Sequence, residues 1–101
     1  MKKVYLSGPI TGKPNKNHEA FRLAELDVAR AGNLPINPHR VCAHLSCNAT
    51  WIDYMRVCVA AMMEANTVFM LRGWIFSKGA RAEWIIAGLL RLEINYQRRS
   101  K

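Results

Sequence analysis

The sequence predicts one α/β domain over residues 1–101, a three-layer Rossmann- or flavodoxin-like arrangement around a small, mostly parallel sheet. Three observations predict it. Short apolar runs alternate along the chain with stretches of helical period, the pattern of parallel strands joined through crossover helices. Glycine-bearing loops follow the first run (Gly8 to Gly12) and the third (Gly73 to Gly79), as at the carboxyl ends of strands in open sheets. No internal repeat, linker or low-complexity segment divides the chain, and 101 residues suffice for one modest core.

Residues 3–7 read as a buried strand, too short for a helix and closed by Gly8-Pro9. A polar loop from Thr11 to Lys16 follows. Asn17 is the expected N-cap of a helix from His18 to Ala31, with Phe21, Ala24 and Val28 at helical spacing and Leu23 and Leu26 widening the stripe. Gly32 and Asn33 suit its C-terminal end. Leu34 to Asn37 is a second short strand, interrupted by Pro35 and closed by Pro38. His39 to Ala49 has no clear period and reads as a surface loop. Thr50 begins a Thr-X-X-Asp variant of the capping box, and the helix from Trp51 to about Ala65 is expected to bury Ile52, Met55, Val59 and Met62. Thr67 to Leu71 is the clearest strand. Ala80 to Leu90 reads as a helix and Leu92 to Tyr96 as a last strand.

Half the residues are hydrophobic, which argues against disorder. No apolar stretch reaches membrane-spanning length and the N-terminus lacks a signal-peptide core, so the expected location is the cytoplasm, with no membrane partner. Three cysteines cannot all pair within one chain, and they are expected to be reduced thiols. His39, Cys42, His44 and Cys47 lie within nine residues but form neither a CxxC pair nor two spaced half-sites, so no metal is expected. The net charge of +8, with Lys2, Lys3, Lys13 and Lys16 near one end and Arg91, Arg98, Arg99 and Lys101 near the other, favours encounter with anions. A nucleic-acid partner is weakly supported, because terminal charge clusters are more often solvated tails.

The first loop offers Ser7, Thr11 and backbone amides around Gly8 and Gly12, which glycine allows a ligand to approach closely. It is not a Walker loop, since no Gly-Lys-Ser/Thr ending follows, nor a dinucleotide fingerprint, since a polar loop rather than a helix follows the glycines. In the second element, Ser77-Lys78-Gly79-Ala80-Arg81-Ala82-Glu83, Ser77 can cap the helix. Glu83 lies about one turn beyond Gly79. A carboxylate there stabilises a helix through the dipole; facing a cleft, it is a nucleophile or base. Both loops follow parallel strands, so they are expected side by side at one sheet edge with Glu83 facing the cleft between them.

Together these residues resemble the nucleoside 2-deoxyribosyltransferase-like superfamily, which includes the deoxynucleoside 5'-monophosphate N-glycosidases. The nearest likeness is to a small branch common in bacteria and phages, and it covers nearly the whole chain. It rests on the opening Tyr-Leu-Ser-Gly-Pro-Ile-Thr-Gly from Tyr5 to Gly12, on Ile36-Asn37-Pro38, on Trp51-Ile52-Asp53-Tyr54-Met55-Arg56, on Leu71-Arg72-Gly73-Trp74, and on Ser77-X-Gly79-X-X-X-Glu83. The resemblance implies that Glu83 is the nucleophile, attacking the anomeric carbon of a deoxyribosyl group; water or another base then resolves the glycosyl ester. It implies that Ser7 and Ser77, with the loops carrying Gly8, Pro9, Ile10 and Gly12 and carrying Gly73, Trp74 and Gly79, bind the sugar or its 5'-phosphate. Tyr5 and His39 would lie near sugar and base, although an ordinary loop histidine is an equal reading of His39. Trp74 and Phe76 are read evenly as base-stacking groups or as side chains buried against a helix or second subunit.

The resemblance implies no cofactor and a homo-oligomer, for which Trp51, Tyr54, Met55, Met62 and Met63 offer more apolar surface than one core needs. Two positions depart from the superfamily pattern: Cys58 stands where an aspartate helps bind or protonate substrate, and Asn66 where aspartate is frequent. Asp53 does not substitute, being about 500° of helical rotation away from Cys58. The expected partner is a nucleoside or nucleotide-like small molecule. The expected activity is cleavage or transfer at its N-glycosidic bond, with a catalytically impaired nucleotide binder of the same fold, or a basic nucleic-acid-binding protein, as alternatives.

Overall fold

Side-chain alternation in the first strand, β1 (Lys3–Ser7), sets the architecture. Val4 and Leu6 enter one hydrophobic cluster and Tyr5 enters the other, so both faces of the sheet are covered. The structure, a computed structural model describing residues 1–98, has three further strands: β2 (Leu34–Ile36), β3 (Thr67–Met70) and β4 (Glu93–Tyr96). All pair in parallel in the order β2-β1-β3-β4, with Tyr5 opposite Ile36 on one side and Val68 on the other. The expected α/β fold and parallel sheet are therefore present. Arg99 and Lys101 of the basic C-terminal cluster lie outside the described residues.

The first face is covered by α1 (His18–Arg30), whose Phe21, Ala24 and Val28 pack on Val4, Leu6 and Leu71. The second carries the single turn α2 (Pro38–Val41), α3 (Trp51–Met63) and α4 (Lys78–Leu89). They pack over Tyr5, Val68 and Met70. The connection from β2 to β3 must pass β1, so the strand order reverses between β1 and β3. That reversal is where open α/β sheets bind ligands. Among the described residues no helix is long and apolar enough to cross a membrane.

Several local expectations hold. Thr50 and Asp53 close both bonds of the capping box, at 3.1 and 2.9 Å, and Ser77 Oγ accepts from the Ala80 amide. Others need correction. Asn17 does not cap α1: with Asn15 and Lys16 it is left-handed, and its side-chain amide donates to the Pro9 carbonyl at 2.8 Å. Leu23 and Leu26 are exposed, because the sheet is narrow enough for one line of α1 side chains to cover it. The segment after Pro38 is not all loop, since Asn37 caps α2 by accepting from the His39 amide. On α3 Met62 is buried as expected, but the line that leads to it is Cys58 and half-buried Tyr54; of the other expected residues Met55 and Val59 are half-buried and Ile52 is exposed.

Candidate active site at the strand-order reversal

Loop geometry builds the site. After β1 the chain passes directly over the end of β3, where the Leu71 amide donates to the Ser7 carbonyl at 2.7 Å. A Cβ on Gly8 would lie 2.8 Å from Leu71 Cβ, so only glycine permits this approach. Farther along, a Cβ on Gly73 would meet Pro9, and one on Gly79 would lie 3.3 Å from Met55 Sδ, so the start of α4 sits tightly against α3. The two glycine loops are thus neighbours at the carboxyl edge of the sheet.

Between them opens a cleft of about 770 Å³, and Glu83 is in its wall. One turn after Gly79, Glu83 points inward with 5 % of its surface exposed. Tyr5 donates to one carboxylate oxygen at 2.7 Å and Ser7 to the other at 2.6 Å. Strand alternation explains the pair: residues two apart on β1 present their side chains to the same face. A carboxylate offers about four lone-pair directions, so two bonds leave room for a ligand. Burial pushes the Glu83 carboxyl above its ordinary range, and the Ser7 and Tyr5 hydroxyls pull it back part of the way. Burial and the neighbouring carboxylate push the Tyr5 phenol well up.

Opposite charge stands at the mouth. Lys16 and Lys78 line the cleft, and Lys78 Nζ lies 4.3 Å from the centre of the Trp51 ring. Among the described residues, Glu83 is the only acidic one in the cleft wall. The charge of the cleft mouth therefore favours an anionic ligand.

Of the candidate residues, the cleft wall holds Tyr5, Gly8, Ile10, Gly12, Ser77, Gly79 and Glu83, with Ser7 directly beneath Glu83. Pro9, Gly73, Trp74 and His39 are not in it. Trp74 packs on Trp84 and Tyr96, with ring centres 5.3 and 5.9 Å away, while Phe76 does line the cleft. His39 stacks on His18 at 3.7 Å and meets the Phe21 edge. Burial there lowers its pKa to about 4. Sequence reading did not assign Lys16, Trp51 or Tyr54 to the cleft. Only the proximity of Trp51 and Tyr54 to the start of α3 could have pointed to them.

Below the cleft, Cys58 is fully buried beside Tyr5, with its Sγ 3.2 Å from Cys42 Sγ. Burial pushes both thiols up. Among the described residues no three His, Cys, Asp or Glu side chains converge as metal ligands.

The fold and the cleft define a small doubly wound α/β domain with a buried carboxylate at its strand-order reversal. The chain belongs to the family described as Domain of unknown function (DUF4406), whose model matches residues 2–96. No curated protein matches it.

Proposed function

We propose that the protein cleaves or transfers the N-glycosidic bond of a deoxynucleoside or deoxynucleoside monophosphate, with Glu83 as nucleophile. The observation that carries this reading is the buried Glu83 carboxylate at the cleft, with Tyr5 and Ser7 each donating to one oxygen. Those donors favour the ionised form that burial opposes, and the ionised form is the nucleophile. A Glu83 oxygen bonds to the anomeric carbon as the bond to the base nitrogen breaks. The electron pair leaves with the base, which takes a proton from cleft water. Water or a second base then attacks the same carbon and releases Glu83. Lys16 and Lys78 suit a substrate phosphate.

A second reading, a nucleotide binder with little turnover, is favoured by Cys58. Its buried thiol, raised by desolvation, supplies neither the charge nor the proton of a carboxylate. The test is incubation with a panel of deoxynucleosides and their monophosphates, followed by chromatography for free base, with thermal shift on the same samples. Free base supports the enzyme. A thermal shift without free base supports the binder. Neither signal overturns both readings.

The protein is also expected to self-associate. Met55 faces Gly79 where α3 meets α4, and Ile52 and Met63 of α3 and Ile85 and Leu89 of α4 are exposed. Phe76, 90 % exposed, and Trp51 add apolar surface at the cleft. A standard interface takes about 800 Å² from each partner, which six large apolar side chains can supply in order of magnitude. Light scattering should therefore give a dimeric or larger mass, reduced to the monomer by Leu89→Glu. A monomeric parent at every concentration from micromolar to millimolar would refute the interface.

A further inference from the structure

The two ends of a nucleotide need different chemistry from a cleft. A phosphate is held by cations and hydrogen-bond donors. The bases are told apart by donors and acceptors together: adenine, cytosine and guanine carry exocyclic amines that thymine lacks, and an amine is read by an acceptor. A site that selects its base therefore sets an acceptor against the base edge, most directly an Asn, Gln, Asp or Glu side chain.

This cleft is rich in donors and poor in free acceptors. Among the described residues its wall holds no Asn, Gln, Asp or His. The hydroxyl oxygens of Thr50 and Ser77 already accept from the Asp53 and Ala80 amides. The carbonyls of Ile10, Thr50 and Ser77 already accept from the amides of Lys13, Tyr54 and Arg81. The Tyr54 hydroxyl is buried. A Thr11 hydroxyl turns to donate or accept as its partner requires, so it favours no base. Glu83 is a strong acceptor, but the proposed chemistry commits it to the anomeric carbon. Lys16 and Lys78 donate, and every base offers an acceptor to an ammonium.

Stacking falls to Phe76. The Lys78 ammonium stands 4.3 Å from the centre of the Trp51 ring, so the cation occupies that face of the indole. Phe76 lines the same cleft and is almost fully exposed, which leaves its ring open to a flat ligand. Every base has a π-face, so a stacking ring attracts without choosing.

We infer that the cleft selects its substrate by the phosphate and is indifferent to the base, with Phe76 as the surface on which the base stacks. The substrate class is then the deoxynucleoside monophosphates, purine and pyrimidine alike. This inference rests on the N-glycosidic reading for its ligand. Stacking strength varies from base to base by about thirtyfold in affinity, whereas built hydrogen bonds discriminate by about 10⁴-fold or more.

The test is calorimetric titration of the full chain carrying Glu83→Gln, which closes the covalent route. The ligands are the monophosphates of deoxyadenosine, deoxyguanosine, deoxycytidine and thymidine, and the four nucleosides without phosphate. The four monophosphates should bind within about thirtyfold of one another. Each nucleoside should bind more weakly than its monophosphate, by a similar factor for all four. Adding Phe76→Ala should weaken all four monophosphates by about fivefold or more, and Phe76→Trp should restore them, compared at equal mass by light scattering. A wider spread among the bases, nucleosides that bind as tightly as monophosphates, or a Phe76→Ala loss confined to one base overturns the inference. Base release by the parent protein, followed on the same eight ligands, separates the two claims. Even binding without release from any ligand defeats the N-glycosidic reading and leaves this one standing. Release from one monophosphate that alone binds tightly does the reverse, and no binding at all defeats both.

Discussion

Replacing Glu83 by glutamine is expected to abolish base release while raising thermal stability at neutral pH. Loss of a nucleophile costs about 10³-fold or more in rate, because the covalent route closes. The stability gain follows from burial. The folded state holds the Glu83 carboxyl above its ordinary range, whereas the unfolded chain releases the proton at the ordinary value. As pH rises from the unfolded value through the raised folded value, the unfolded state binds fewer protons than the native one. Stability therefore falls across that window and stays lower at neutral pH. Glutamine keeps the shape and carries no charge, so it escapes the loss. For a domain of this size each kcal/mol recovered raises Tm by about 4–8 °C. Calorimetry at neutral pH and again below the ordinary carboxylate range checks this: the variant should melt higher in the first case and equally in the second. A lower Tm at neutral pH would mean that the Tyr5 and Ser7 bonds to the anion outweigh its desolvation, making Glu83 a structural anion.

How much of this was legible in the sequence depends on the distance over which each feature is decided. Glu83 was legible because its place follows from a local count, one helical turn beyond Gly79 on a helix capped by Ser77. The Thr50–Asp53 box was legible for the same reason. The buried line of α3 was not. Ile52, Met55, Val59 and Met62 form one apolar stripe and Tyr54, Cys58 and Met62 form another, and periodicity does not choose between two apolar stripes. Only the sheet and α4 decide that Cys58 goes inward. Asn17 failed as a cap because it is itself left-handed, like Asn15 and Lys16, and its side-chain amide is spent on the Pro9 carbonyl. His39 was drawn to His18, twenty-one positions away in the sequence, by a ring stack that no spacing rule contains.

Placing a carboxylate at position 58 with Cys58→Asp, where the superfamily that the sequence resembles carries an aspartate, should have two opposed effects, and their pH dependence separates them. Cys58 is fully buried in the same cluster as Tyr5, which donates to Glu83, so a carboxylate there would lie close to the Tyr5–Glu83 pair. Two buried acids this close do not both ionise at neutral pH; one keeps its proton, as a property of the pair. A retained proton next to the nucleophile is what a departing base requires, and a positioned general acid contributes about 10²-fold or more. If the missing aspartate limits the reaction, base release should rise by that order. The same substitution should destabilise the fold at neutral pH by about 2–3 kcal/mol, in the range for burying a poorly matched polar group. The new acid's folded pKa is raised above its unfolded value. Its cost is therefore absent below the unfolded value and grows as pH climbs toward the folded one. Urea denaturation at mildly acidic and mildly alkaline pH should show the loss deepening with pH, while Cys58→Asn, which carries no titrating proton, should lose stability equally at both. If Cys58→Asp gains activity and Cys58→Asn does not, the transferable proton was what the thiol lacked. If neither gains while nucleotide still stabilises both, the pocket has diverged from catalysis by more than one residue, and the binding reading replaces the enzymatic one.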